Sequence, residues 1–166
     1  MHITTAEELL NKKSGFKALT GTSDFGEISQ KASEGDAACK LAFELFLDRV
    51  LNFVGSYYVK LGGNVDALVF AGGIGEKGVE FRQRVVERVA CLGFEIDQDK
   101  NKSPANDVVT DIGVSGSKHR VLICQTDEQV SDIPSFSIHR PDIASSLKWH
   151  VGVCWRLRSR PSDAPF

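Results

Sequence analysis

The sequence predicts an α/β fold from three observations. Apolar residues recur at helical spacing from Asp36 to about Leu61. "VDALVFA", Val65 to Ala71, is a short and nearly continuous apolar run, suited to a strand covered on both faces as in a parallel sheet. The glycine cluster "GGIGEKG" then turns that run directly into a second amphipathic segment. Helix, strand, loop and helix in this order form an α/β layer, and 166 residues suffice for one ordinary domain with a core.

Taken in order, "TTAEELLNKK" carries a cap-like Thr followed by acids and a Leu pair, the pattern of a short helix. "FKALTGTSDFGEIS" is rich in Gly, Ser and Thr, and reads as a structured loop with Phe16, Leu19, Phe25 and Ile28 as its apolar contacts. Asp36 is placed to cap the long helix, whose apolar set is Ala38, Leu41, Ala42, Leu45, Phe46, Val50, Phe53, Val54 and Tyr57; Gly62 and Gly63 stop it. After the Val65 strand a helix is predicted from about Gly78 to Leu92. Phe81, Val85, Val89 and Leu92 line one face, while Arg82, Arg84, Glu87 and Arg88 mostly face away. "FEID" alternates like a strand, "QDKNKSPAND" is a polar turn region, and "VVTDIG" and "HRVLICQT" are further strands. After Gln129 no period of either kind is sustained, and four prolines follow, Pro134, Pro141, Pro161 and Pro165. The predicted organisation is a domain over residues 1–130 and a divergent, poorly ordered basic tail over 131–166.

Composition narrows the function classes. Cys39, Cys91, Cys124 and Cys154 never form a CxxC pair, and His2, His119, His139 and His150 are scattered, which gives no spacing for a zinc site. No window approaches a membrane span, and the N-terminus has acids and lysines where a signal peptide needs an apolar core. A soluble, cytoplasmic protein is expected. The formal net charge of −2 argues against a dedicated nucleic-acid surface. The sign is uneven, because five Lys and Arg face only two Asp from Arg140 onward. In that tail Trp149 and Trp155 lie between basic residues, which keeps single-strand stacking as a minor alternative.

A glycine-rich strand-to-helix turn admits a ligand close to the backbone, and the following helix presents amide donors and the positive end of its dipole. "GGIGEKG" is neither GxxxxGK[ST] nor GxGxxG, so on spacing alone a plain tight connection comes ahead of a phosphate site. Without other information Asp24 reads as an Asx turn, Glu76 as a helix N-terminal acid and Glu128 as a solvated residue past a strand.

At these residues a family resemblance enters. "VDALVFAGGIGEKGVEFRQRVVERVACLGFEIDQDKN" resembles the C-terminal domain of acetate kinases, in which D-A-[IL]-V-F leads into [AG]-G-I-G-E-[NK], a helix, and "LGhxhDxxxN". "ELLNKKSGFKALTGTSDFGEIS", the long helix and "VLICQTDEQ" resemble three more segments of that family in its order, from about Thr4 to Gln129. The resemblance implies an incomplete C-terminal half of the acetate and sugar kinase, Hsp70 and actin (ribonuclease H-like) fold. It implies ATP or ADP as substrate, acetate and acetyl phosphate as partners in the full-length family, magnesium (Mg2+), and a homodimer through the C-terminal domain as an open possibility.

Carried over by position, Gly73, Ile74, Gly75, Glu76 and Lys77 match the loop that contacts the adenosine side of ATP. Asp24 and Phe25 match the start of a D-[FLM]-R element that also lines the nucleotide, and Glu128 matches a magnesium-associated glutamate. Three departures stand out. Gly26 replaces the arginine of that element, Lys77 the commoner Asn, and Gln129 the second acid of T-[DN]-E-E. The acetate pocket and the groups that stabilise the transferring phosphoryl belong to other parts of the family's chain, so no catalytic residue is assigned. The expectation is a nucleotide-side piece of an acetate kinase, inactive alone, with a non-catalytic nucleotide- or partner-binding domain as the alternative.

Overall fold

The computed structural model describes residues 7–10, 13–126, 147–150 and 153–157. The chain divides into two compact units, Met1–Arg49 and Val50–Phe166.

In the first unit residues 7–10 are helical, followed by α1 (Phe16–Thr20), α2 (Phe25–Ser33) and the opening turns of α3 (Ala37–Lys60). The segment predicted as a structured loop thus holds two helices. Its polar residues are helix ends: Asp24 caps α2 by accepting from the Gly26 and Glu27 amides at 2.8 and 3.3 Å, and Gly21, at φ +78°, closes α1. The four predicted apolar contacts divide. Phe25 and Ile28 are buried, Phe16 is half-buried with its ring 5.6 Å from Phe25 and 5.5 Å from Phe46, and Leu19 is exposed.

Asp36 caps α3 as predicted, its carboxylate accepting from the Cys39 amide at 2.7 Å. The buried stripe is rotated from the predicted one. Cys39, Ala42, Phe43 and Leu47 are buried in the first unit and Val50 and Val54 in the second, while Leu41, Leu45 and Phe53 are exposed. A helix apolar on most sides leaves its spacing unable to select a face. Gly62 and Gly63 end it at φ +60° and +72°, donating to the Val59 and Tyr58 carbonyls.

The second unit is organised by β1 (Val65–Ala71), in which every residue except Asp66 is buried. Along the chain follow α4 (Gly72–Lys77), α5 (Val79–Arg88), a 3-10 turn (Ala90–Leu92), α6 (Gln98–Lys102), β2 (Val109–Asp111), β3 (Arg120–Cys124), β4 (Leu147–His150) and β5 (Val153–Leu157). The sheet order is β2-β3-β1-β5-β4. β3 runs parallel to β1, with Leu68 opposite Val121 and Phe70 opposite Ile123; β2 and β5 are antiparallel to their neighbours β3 and β1. α5 covers β1 through Phe81, Val85 and Val86, with the Phe81 and Phe70 rings edge to face at 6.4 Å.

"FEID" forms two isolated bridges, Phe94 to His119 and Ile96 to Gly113, instead of a strand. Part of the predicted polar turn is α6, capped by Asp97. β4 and β5 form within the segment that shows no sustained period; the rest of 131–166 lies outside the described residues. Among the described residues no helix is long and apolar enough to cross a membrane.

Candidate functional site

The β1 strand delivers the chain at Ala71 in extended conformation, and Gly72 reverses it at φ +70°, a left-handed value open to glycine at little cost. α4 then makes little more than one turn. Gly78 separates it from α5, and a Cβ there would stand 2.5 Å from the Ile74 carbonyl oxygen, so close packing excludes any larger residue. Gly73 is different: it is exposed, and among the described residues no atom outside its own helix turn lies within 4 Å of where its Cβ would be. Of the remaining predicted loop residues, Ile74 and Glu76 are half-buried, Gly75 is buried and Lys77 is exposed.

Two polar anchors hold this turn. At its start Glu76 Oε1 accepts from the Gly72 amide at 3.0 Å and from both the amide and hydroxyl of Thr126 at 2.9 Å, which joins the loop to the chain just past β3. At its end Arg82, fully buried, donates through Nη1 to the Gly75 and Glu76 carbonyls at 2.9 and 2.6 Å. Its Nε and Nη2 reach Asn101 Oδ1 and the Asn101 carbonyl at 2.8 and 3.0 Å. Asn101, also fully buried, donates from Nδ2 to the Val79 carbonyl at 3.1 Å. Burial pulls the Arg82 pKa below its ordinary value, yet a guanidinium starts so high that it remains a cation. Among the described residues it makes no ion pair; carbonyl dipoles at the C-terminal end of α4 meet its charge.

Helical spacing places Arg82 on the outward face of its helix, and the sequence gives Thr126 and Asn101 no role. Asn101 did carry a signal, as the last letter of the LGhxhDxxxN pattern. Arg82 carried none, since an arginine between Phe81 and Val85 on a helix reads as solvated by default.

The structure brings Gly73 to Lys77 together with the Thr126 end of β3. Asp24 and Phe25 lie in the other unit. Asp24 is exposed with Oδ1 engaged in capping, while Phe25 is a core ring stacked on Phe43 at 5.5 Å. At Gly26 an added Cβ would stand 3.1 Å from Asp24 Oδ1. Glu128 lies outside the described residues. Among those described, no group of three His, Cys, Asp or Glu is placed to hold a metal ion.

Burial first, and then the Glu76 charge, push the Cys124 thiol pKa up, which leaves it an unreactive thiol at neutral pH. A separate polar cavity of about 330 Å³ lies between α6 and the β2–β3 connection. Its cations are committed: Arg120 Nε lies 2.9 Å from Asp111 Oδ2, and Lys100 Nζ lies 3.2 Å from the Gly113 carbonyl and 3.6 Å from Asp97.

A profile of the acetokinase family matches residues 1–133. A protein of Emericella nidulans described as a probable acetate kinase is 53% identical over 133 residues, covering 78% of this chain and 31% of that protein. Among solved structures, a propionate kinase from Francisella tularensis superposes with a TM-score of 0.65 at 38% identity, covering 76% of this chain and 32% of its own. Acetate kinase from Entamoeba histolytica gives 0.69 at 25% identity, covering 77% and 34%. The chain therefore spans about a third of the length of the relatives it matches.

Proposed function

The chain belongs to the acetokinase family, and on that premise we propose that it forms the nucleotide side of an acetate kinase. Such an enzyme transfers a phosphoryl group between ATP and acetate, giving ADP and acetyl phosphate, in either direction. One observation carries the reading: the open space on the outward side of Gly73, at a turn whose conformation is fixed from both ends.

Gly73 lets the adenosine portion approach backbone without a side chain between, half-buried Ile74 and buried Gly75 shape the turn behind it, and Lys77 offers an exposed donor. Helix geometry leaves the first amides of α4 without intrahelical partners; Gly72's is taken by Glu76, and those of the next residues suit ligand acceptors. Glu76 serves by bracing the turn. Asp24 and Phe25 are assigned to nucleotide by their match to the family's element alone; within the first unit Asp24 Oδ1 caps α2 and the Phe25 ring is stacked on Phe43.

Magnesium enters this reading with the nucleotide phosphates, since no group of three His, Cys, Asp or Glu among the described residues is placed to hold the ion. Glu76 Oε1 already accepts three protein donors, and Glu128 is assigned to the ion by its match to the family's magnesium-associated glutamate alone. When bound, the ion neutralises charge on the transferring phosphates.

The groups that clamp the phosphoryl in this family have no counterpart at the matched positions, and each such donor is commonly worth about a hundredfold or more. The 166 residues alone are therefore expected to bind nucleotide without turning over acetate. A cytoplasmic setting, and a homodimer formed through this domain, belong to the same reading. Calorimetric titration with magnesium and ATP, paired with an acetyl phosphate assay, tests it. Saturable binding without product is expected; rapid product formation by this polypeptide, or no binding by the folded chain, contradicts it.

The second reading is a domain that binds nucleotide or a partner and performs no chemistry in any assembly. Gly26 favours it, because the element matched by Asp24 and Phe25 has lost its cation. Adding the complementary two thirds of an acetate kinase separates the two, since restored turnover supports the first and continued inactivity the second.

A further inference from the structure

A buried guanidinium is costly unless its donors are met, and here four oxygens meet them with no carboxylate among the described residues. Two of those oxygens are the Gly75 and Glu76 carbonyls of the loop, and the other two belong to Asn101. Asn101 is in turn fixed by its amide donating to the Asp97 carbonyl at 2.9 Å and its Nδ2 donating to Val79. The end of α4, the start of α5 and α6 are thereby joined through one cation. A six-residue helix has no stability of its own, so its geometry is imposed by whatever grips its ends.

We propose that Arg82, held by Asn101, is a positioning residue for nucleotide binding: it sets the conformation of the Gly72–Lys77 turn from beneath without touching ligand. The proposal rests on the nucleotide reading above. Arg82 is fully buried, so no direct contact with nucleotide competes as an explanation. Lysine would keep the charge but cannot span four oxygens on three sides with one ammonium. Removing the fork frees the Gly75 and Glu76 carbonyls, and the turn loosens at the end that faces Lys77.

The test uses the whole 166-residue chain. In Arg82→Lys, amide exchange is expected to rise at Glu76, Lys77 and Gly78 while Leu68 to Phe70 of β1 stay protected, and affinity for magnesium ATP is expected to fall about tenfold or more. In Arg82→Ala, guanidinium ion well below denaturing concentration is expected to restore affinity, and to leave the unsubstituted chain unchanged. Unaltered exchange at those three amides, exchange raised equally in β1, or a loosened turn with unaltered affinity each overturns the proposal. If Arg82→Lys fails to fold, Asn101→Ala, which removes the Nε acceptor, is read by the same criteria. Should the unsubstituted chain bind no nucleotide, the nucleotide reading fails by itself, and the exchange measurement still decides whether Arg82 holds the turn.

Discussion

The two turns that carry the candidate nucleotide residues are held in contrasting ways. At the start of α2, Asp24 satisfies amides two and three residues ahead, so its anchor is complete within a few residues. At α4, Glu76 and Arg82 reach Thr126 and Asn101, 50 and 19 residues away. A locally anchored turn forms wherever its own residues favour it. A remotely anchored one forms only when the sheet and α6 are in place, which couples the glycine turn to the state of the whole second unit.

Substitutions sharpen that contrast. The largest effect is expected at Arg82→Met, which leaves the Gly75 and Glu76 carbonyls and Asn101 buried without a donor. A loss of about 3 kcal/mol or more, read by denaturant unfolding, is expected. Glu76→Ala removes an acceptor shared by three donors, and should cost about 2 kcal/mol while speeding amide exchange at Gly72 and Thr126. Asp24→Ala should cost about 1 kcal/mol, the usual worth of a cap, with Asp24→Asn retaining most of it. If Asp24→Ala proved as damaging as Arg82→Met, the division between local and remote anchoring would be wrong.

The smallest effect depends on pH. His119 is buried, its ring 4.9 Å from Phe94 and its Nε2 3.4 Å from the Tyr58 hydroxyl. Burial, with Lys118 beside it, lowers its pKa; the Val65 and Leu92 backbones and the Asp66 charge oppose this. The unfolded chain then takes up the proton first, so stability is complete above the ordinary histidine value of about 6.5 and declines as the pH falls below it. Thermal midpoints at about pH 7.5 and about pH 5.5 should differ more in the unsubstituted chain than in His119→Phe.

Legibility in the sequence followed the same division. The Asp36 cap, the Gly62-Gly63 stop, β1 and the β3 run were readable because hydrophobic period and caps act over a few residues. The helices α1 and α2 read as a loop in sequence because Thr20, Ser23 and Asp24 are turn formers and helix-end residues alike. At the candidate site the glycine run identified the turn but not which glycine faces outward. That depends on the Ile74 carbonyl beneath Gly78 and on open space beside Gly73. Arg82 was invisible as an anchor because its partners come from α4 and from Asn101.

The central claim is that nucleotide settles on the outward side of Gly73, and the most direct test is a titration of the isotope-labelled chain with magnesium ATP, read amide by amide. Shifts should concentrate at Gly73 to Lys77 and vanish in Gly73→Phe, whose side chain fills the open space while the fold's other resonances stay in place. Shifts centred on Ser115 to Ser117 beside the polar cavity, or binding undiminished in Gly73→Phe, would contradict the account.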